Sequence, residues 1–149
     1  MSASLTLFEH RRTIDAPASV VFDLLTTPEG LRQWIARAAE VSVAPQGRIT
    51  WTHDNGDTMV GRILELQPPH RLVFSYGWAD GAMSMPPEST RVEITLTERD
   101  GTTELHLVHR ALPVEAEPRH AEGWRWFLAR LDEAACSDDQ SAQQRKPVE

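Results

Sequence analysis

Residues 118–136, PRHAEGWRWFLARLDEAAC, decide the reading of this chain. Trp124, Phe127, Leu128, Leu131, Ala134 and Ala135 recur at i, i+3, i+4, i+7, i+10 and i+11, which gathers them on one helix face. Arg125, Ala129, Arg130, Asp132 and Glu133 fall elsewhere around the wheel. Trp126 breaks the pattern, about 200° from Trp124 and among Glu122, Arg125, Arg130 and Glu133. An exposed tryptophan implies a contact. Trp126 is therefore expected at a homodimer interface or against the chain's own N-terminal strand. After Cys136 the sequence SDDQSAQQRKPVE has one aliphatic residue besides Ala, so a disordered tail is expected over 137–149.

Upstream of this helix the hydrophobic period changes to two. Leu105, Leu107 and His109 alternate over 102–111, and Val92, Ile94 and Leu96 over 90–99, with Asp100-Gly101 between them as a hairpin turn. Residues 71–78 put Leu72, Phe74, Tyr76 and Trp78 on one face. Before that strand Gln67-Pro68-Pro69-His70 is a stop, and residues 58–66 pair back through Asp54-Asn55-Gly56-Asp57 to Ile49, Trp51 and His53. Asn-Gly there predicts a type I′ turn. Val41 and Val43 begin the meander. Residues 79–88, ADGAMSMPPE, exceed what a tight hairpin needs and form a candidate flap.

The N-terminal third supplies a strand over 5–14 and two short helices. Pro17 opens the first helix, with Val21, Phe22 and Leu25 on one side. Thr27-Pro28 separates it from the second, where Leu31 and Trp34 share a face. The order is strand, two short helices, six-stranded meander, long helix. That is an α+β domain in which a twisted sheet curls over the one helix large enough to cover its concave side.

The order of motifs resembles the START-like, helix-grip superfamily (SRPBCC). APASVVFDLLTTPEGLRQWI is similar to its opening segment, and HAEGWRWFLARL to its closing helix. GRILELQPPHRLVFSYGW and STRVEITLTERDGTTELHLVHRALP resemble the branch related to the C-terminal domain of the activator of heat-shock-protein-90 ATPase. The resemblance covers about residues 7–136 and implies about seven antiparallel strands gripping the long helix. It also implies a cavity between them, closed at one end by the short helices. In that superfamily such cavities hold lipids, sterols, polyketides or plant hormones, and some members are cyclases or aromatases. The eukaryotic cochaperone has a further N-terminal domain, for which 149 residues are not expected to leave room, so a chaperone partner is carried over only as an alternative.

The cavity candidates that follow are Trp34, Trp51, Phe74, Tyr76, Trp78, Met83, Met85, His109, His120, Trp124 and Leu128. The aromatic row can equally be plain core, and Met83 and Met85 either move over the entrance or cap an edge permanently. His109 reads as a core histidine held by a neighbouring backbone or hydroxyl group, or as a ligand hydrogen-bonder or acid/base. His106 and His109 are three apart on a strand and point to opposite faces, so they cannot chelate one ion. Asp54, Asn55 and Asp57 form a turn rather than a calcium loop. Glu93, Glu98 and Glu104 read as solvated. The expected function is binding of a small, largely apolar molecule, with a cyclase-, aromatase- or hydrolase-like enzyme and a chaperone-interaction module as alternatives. No cofactor or metal is expected.

Composition sets the outer bounds. At 149 residues the chain holds one domain. A net charge of −7 opposes a phosphate-binding groove, which needs clustered cations, so no nucleic acid is expected. Cys136 is the only cysteine, which rules out an internal disulfide and fits a reducing cytosol. The first residues lack an apolar signal core, and no apolar run approaches the roughly 18 residues of a membrane span. A cytoplasmic protein is expected.

Overall fold

The computed structural model describes residues 4–145. Its elements are β1 (Leu5–Ile14), α1 (Ala18–Thr26), α2 (Pro28–Leu31), β2 (Ala38–Val41), β3 (Arg48–Thr52), β4 (Thr58–Gln67), β5 (Arg71–Tyr76), β6 (Thr90–Arg99), β7 (Thr102–Pro113) and α3 (Glu117–Arg145). Short 3-10 turns lie at Ala82–Ser84 and Val114–Ala116. All strands pair antiparallel in one sheet, ordered β1-β7-β6-β5-β4-β3-β2. This is the α+β helix-grip arrangement that the sequence predicts. Among the described residues no helix is long and apolar enough to cross a membrane.

Alternation builds the concave face. Val92 pairs with His109, Ile94 with Leu107 and Leu96 with Leu105, all nearly or wholly buried. Such inward cross-strand pairs fix the register, because a one-residue slip would turn the whole row to solvent. Register shifts at Leu64 in β4 and opposite Leu7 in β7 bend the strands, and Ala111 adopts a φ of 61° at the second.

The two hairpins differ. Asp100 and Gly101 both take positive φ, 54° and 79°, as a type I′ turn requires. At the other turn only Gly56 is positive, at 96°, and the His53 N–H donates to the Asp57 carbonyl at 2.8 Å. The connection is thus a three-residue loop with its glycine in the bulge position, not the expected type I′ turn. The Asn55 side chain accepts from the Asp57 N–H at 2.9 Å, which satisfies the backbone locally and removes the need for a second positive φ.

Of the three carboxylates read as solvated, Glu98 and Glu104 are exposed and Glu93 is half-buried, and each also has a partner. Glu98 accepts the Ala18 N–H at 2.8 Å and so caps α1, which Pro17 alone leaves uncapped. Glu93 lies between Arg91 and Arg110, each at 3.1 Å, and Glu104 meets Arg11 at 3.4 Å. Such pairings depend on strand register, which short-range pattern does not supply.

Trp124, Leu128, Leu131 and Ala135 are buried as the helical period dictates, with Phe127 and Ala134 half-buried beside them. Burial of each large side chain on this face contributes about 1.5–3 kcal/mol. The Arg12–Asp132 pair at 2.9 Å ties α3 to β1, and the Arg125 guanidinium lies 5.3 Å over the Phe8 ring. Asp132 and Arg125 are thus residues of α3 that reach the N-terminal strand. Trp126 stays 63% exposed. Beyond Cys136 the backbone continues as helix to Arg145. Ser137 to Arg145 contains neither Gly nor Pro, so no stop signal intervenes before Pro147. Residues 146–149 lie outside the described residues.

Candidate functional site

A cavity of about 680 Å³ opens beside the N-terminal half of α3. It is bounded by the segment following α2, the β3–β4 turn, the end of β5 and the loop at 79–88. Each boundary has its own anchor. Trp34 donates its indole N–H to the Leu24 carbonyl at 2.8 Å, which pins the α2 exit onto α1. The loop is drawn inward because the Trp78 N–H donates to the Met85 carbonyl at 2.7 Å and the Glu88 N–H to Val60 at 3.2 Å. Gly77 permits this approach: a Cβ there would fall 1.9 Å from the Pro86 carbonyl oxygen. Met83 and Ser84 sit in the left-handed region, with φ of 56° and 58°. Each such residue costs on the order of 1 kcal/mol, and the arrangement directs Met83 to the cavity.

Tyr76 is the hub of the wall. Its ring centroid lies 4.6 Å from His109, 5.6 Å from Trp78, 5.9 Å from His120 and 6.0 Å from Trp124. Tyr76 lines the cavity while only 4% exposed. Among the described residues its hydroxyl has no hydrogen-bond partner, yet it is not among the sealed polar atoms that lack one. The phenol is therefore open to the cavity. Burial pushes its pKa upward, so it stays a neutral hydroxyl.

Three tryptophan–histidine pairs surround this hub. Trp124 donates to His109 Nδ1 at 3.0 Å, Trp78 to His120 Nε2 at 3.2 Å, and Trp51 to His53 Nε2 at 3.1 Å. An indole N–H can only donate, so each accepting nitrogen carries a lone pair and each imidazole is neutral. The opposite nitrogens then donate. His109 Nε2 meets the Thr90 hydroxyl at 2.8 Å, and the Thr90 hydroxyl in turn donates to the Tyr76 carbonyl at 2.7 Å. His120 Nδ1 meets the Ala116 carbonyl at 2.9 Å.

Burial draws all three histidines below their ordinary pKa. His109 falls to about 3 through burial and then the neighbouring His120. For His120 burial dominates over the raising effect of the Ala116 carbonyl, and Arg119 adds to the lowering. For His53 burial outweighs the Ile35 carbonyl and the carboxylates of Asp57 and Asp54.

Of the eleven sequence candidates, Trp34, Tyr76, Trp78, Met83, His120 and Trp124 line the cavity. Trp51, Phe74, Met85, His109 and Leu128 are buried and lie outside its lining. His109 is the core histidine of its two readings, because the Trp124 indole and Thr90 occupy both nitrogens. Met85 does not cover the entrance, since its carbonyl bond to Trp78 folds its wholly buried side chain into the core. Sequence reasoning missed His53, although it continues the inward Ile49–Trp51 row. Its ring lies 5.1 Å from Phe127 and 5.6 Å from Trp78. Also missed were Ile35 and four arginines in the lining, Arg32, Arg37, Arg119 and Arg130. His106 faces the outer side of the sheet and pairs with Glu9. Among the described residues no three His, Cys, Asp or Glu side chains are placed to hold a metal ion.

The chain belongs to the family described as activator of Hsp90 ATPase homolog 1-like protein, whose model matches residues 15–135. No curated protein sequence matches it. Its fold is similar to that of protein MLL2253 from Mesorhizobium loti, at 18% identity and a TM-score of 0.77 over 96% of this chain and 100% of that one. It is also similar to the Aha1 dimer from Colwellia psychrerythraea, at 19% identity and a TM-score of 0.74 over 87% and 96%. PFC0360w, an HSP90 activator from Plasmodium falciparum, is similar at 22% identity and a TM-score of 0.71 over 85% and 93%. At these identities the likeness carries the fold.

Proposed function

We propose that this protein binds a small, largely apolar molecule in the cavity beside α3. The observation that carries the reading is the Tyr76 hydroxyl, without a partner among the described residues, in a cavity walled on its inner side by Trp34, Trp78, Trp124 and Phe127. A cavity of about 680 Å³ suits a drug-sized molecule, and a few polar groups among aromatic rings orient a ligand. Catalysis draws less support, because an acid/base mechanism needs two tunable groups converging on a substrate. Both nitrogens of His109 and of His120 are engaged, and Tyr76 is held neutral.

Gly123 provides the test. It lines the cavity, and a Cβ there meets nothing within 4 Å. Gly123→Leu is expected to project into the cavity and expel a ligand while raising helix stability by about 0.5–1 kcal/mol. Native mass spectrometry of protein purified from its own host should show an added small-molecule mass in the parent and none in the variant. Absence of that mass from repeated preparations of the parent would count against the reading.

A second reading concerns partners and rests on Trp126, whose 63% exposure is large for an indole. A second copy of this chain is the proposed occupant, in line with the dimeric state of the Colwellia relative. A chaperone of the heat-shock-protein-90 class is the alternative suggested by the Plasmodium relative.

A further inference from the structure

We infer that the ligand is a ring-bearing organic acid, its rings against the aromatic wall and its carboxylate among Arg32, Arg37 and Arg119 at the mouth. The inference rests on the cavity reading and names the ligand class. The chain as a whole carries 22 acidic against 15 basic residues. The cavity reverses that balance, with four arginines against Asp54 and Asp57 in its lining. The arginines come from separate parts of the chain. Arg32 and Arg37 flank the turns after α2, and Arg119 stands in the first turn of α3.

The state of these side chains matters as much as their number. Arg12, Arg62, Arg71, Arg91 and Arg110 each pair with a carboxylate within 3.2 Å on the same chain. Arg130 donates its Nε to the Trp34 carbonyl at 3.1 Å. Among the described residues Arg32, Arg37 and Arg119 have no ion pair and no side-chain hydrogen bond, although two aspartates share the cavity with them. Planar guanidinium groups match a carboxylate in a two-bond fork, and partial removal from water strengthens that bond. Deeper in, Trp78, Trp124 and Phe127 offer flat faces, and the Tyr76 hydroxyl can donate to a ring oxygen or accept from a ring hydroxyl. An apolar body with one anionic end is the molecule that uses both regions together.

Isothermal titration calorimetry with 2-naphthoic acid and its methyl ester at neutral pH tests this. The acid is expected to bind about tenfold more tightly than the ester, and the gap should narrow as salt is raised. The Arg32→Gln/Arg37→Gln/Arg119→Gln triple variant changes exposed side chains only and should fold like the parent. In it the acid is expected to fall to the ester's affinity while the ester is unchanged. Equal affinities in the parent would overturn the acid inference and leave the cavity reading standing. Binding of neither probe up to its solubility limit would overturn both. A preference for the acid that survives the triple variant would overturn the assignment to these arginines.

Discussion

The same bond recurs at the wall and at the mouth of the cavity, and its surroundings give it different work. Trp124–His109 is sealed, with both residues within 3% of full burial. Trp51–His53 has an equally buried indole, but its imidazole is half-exposed and lies in the cavity lining beside Asp54 and Asp57. In the sealed site no water can replace a lost partner. At the mouth water or a ligand can. Identical pairs of side chains therefore specify the fold in one place and leave polar surface near a ligand in the other.

Breaking each bond in turn gives the largest expected contrast. His109→Leu leaves the Trp124 indole N–H without an acceptor in a dry site and is expected to destabilise the protein by about 2–3 kcal/mol. His53→Leu makes the same chemical change where water can enter, and less than about 1 kcal/mol is expected. Urea denaturation of the two variants beside the parent measures both. Equal losses would mean that the wall and the mouth are not distinct environments.

The contrast extends to pH. A histidine that takes up a proton more readily in the unfolded chain than in the fold weakens the fold on acidification. His109, His120 and His53 all have folded pKa values below the ordinary 6.5. Their contribution to stability is complete above pH 6.5 and declines as the pH falls, for His109 down to about 3. Each histidine still neutral in the fold adds a slope of up to about 1.4 kcal/mol per pH unit. Stability measured from pH 7.5 to 5 is expected to fall steadily below 6.5. His109→Gln, which keeps a donor and an acceptor without titrating, should flatten that fall by one histidine's share, whereas an unchanged slope would remove His109 from the explanation.

How much of this was legible in the sequence follows the range of the interactions. The Trp124–Leu128–Leu131 face, the Val92–Ile94–Leu96 row and the Asp100-Gly101 turn are set within a few residues, and their positions follow from local period. The outline of the cavity is not local. It is assembled from the α2 exit, the β3–β4 turn, the end of β5 and α3, and the left-handed Met83 and Ser84 decide which methionine reaches it. His109 shows the boundary between the two cases. Its inward direction is readable from Leu105 and Leu107, but its exclusion from the cavity depends on Trp124, Thr90 and Tyr76, which arrive from three other elements.

The smallest effect on stability is expected at Trp126, next to the half-buried Phe127 yet itself largely in water. Removing a side chain that is 63% exposed deletes little buried area, so Trp126→Ala should change monomer stability by no more than about 0.5 kcal/mol. Its effect on association is a separate quantity, since a tryptophan at the centre of an interface can account for 2 kcal/mol or more, about a thirtyfold change in dissociation constant. Sedimentation velocity across a concentration series therefore isolates the two roles. A parent that dimerises with rising concentration and a Trp126→Ala variant that stays monomeric over the same range would place the second copy of the chain on this indole. Matching sedimentation of the two proteins would instead confine Trp126 to the rim of the cavity, where its loss should be felt by a ligand and not by a partner.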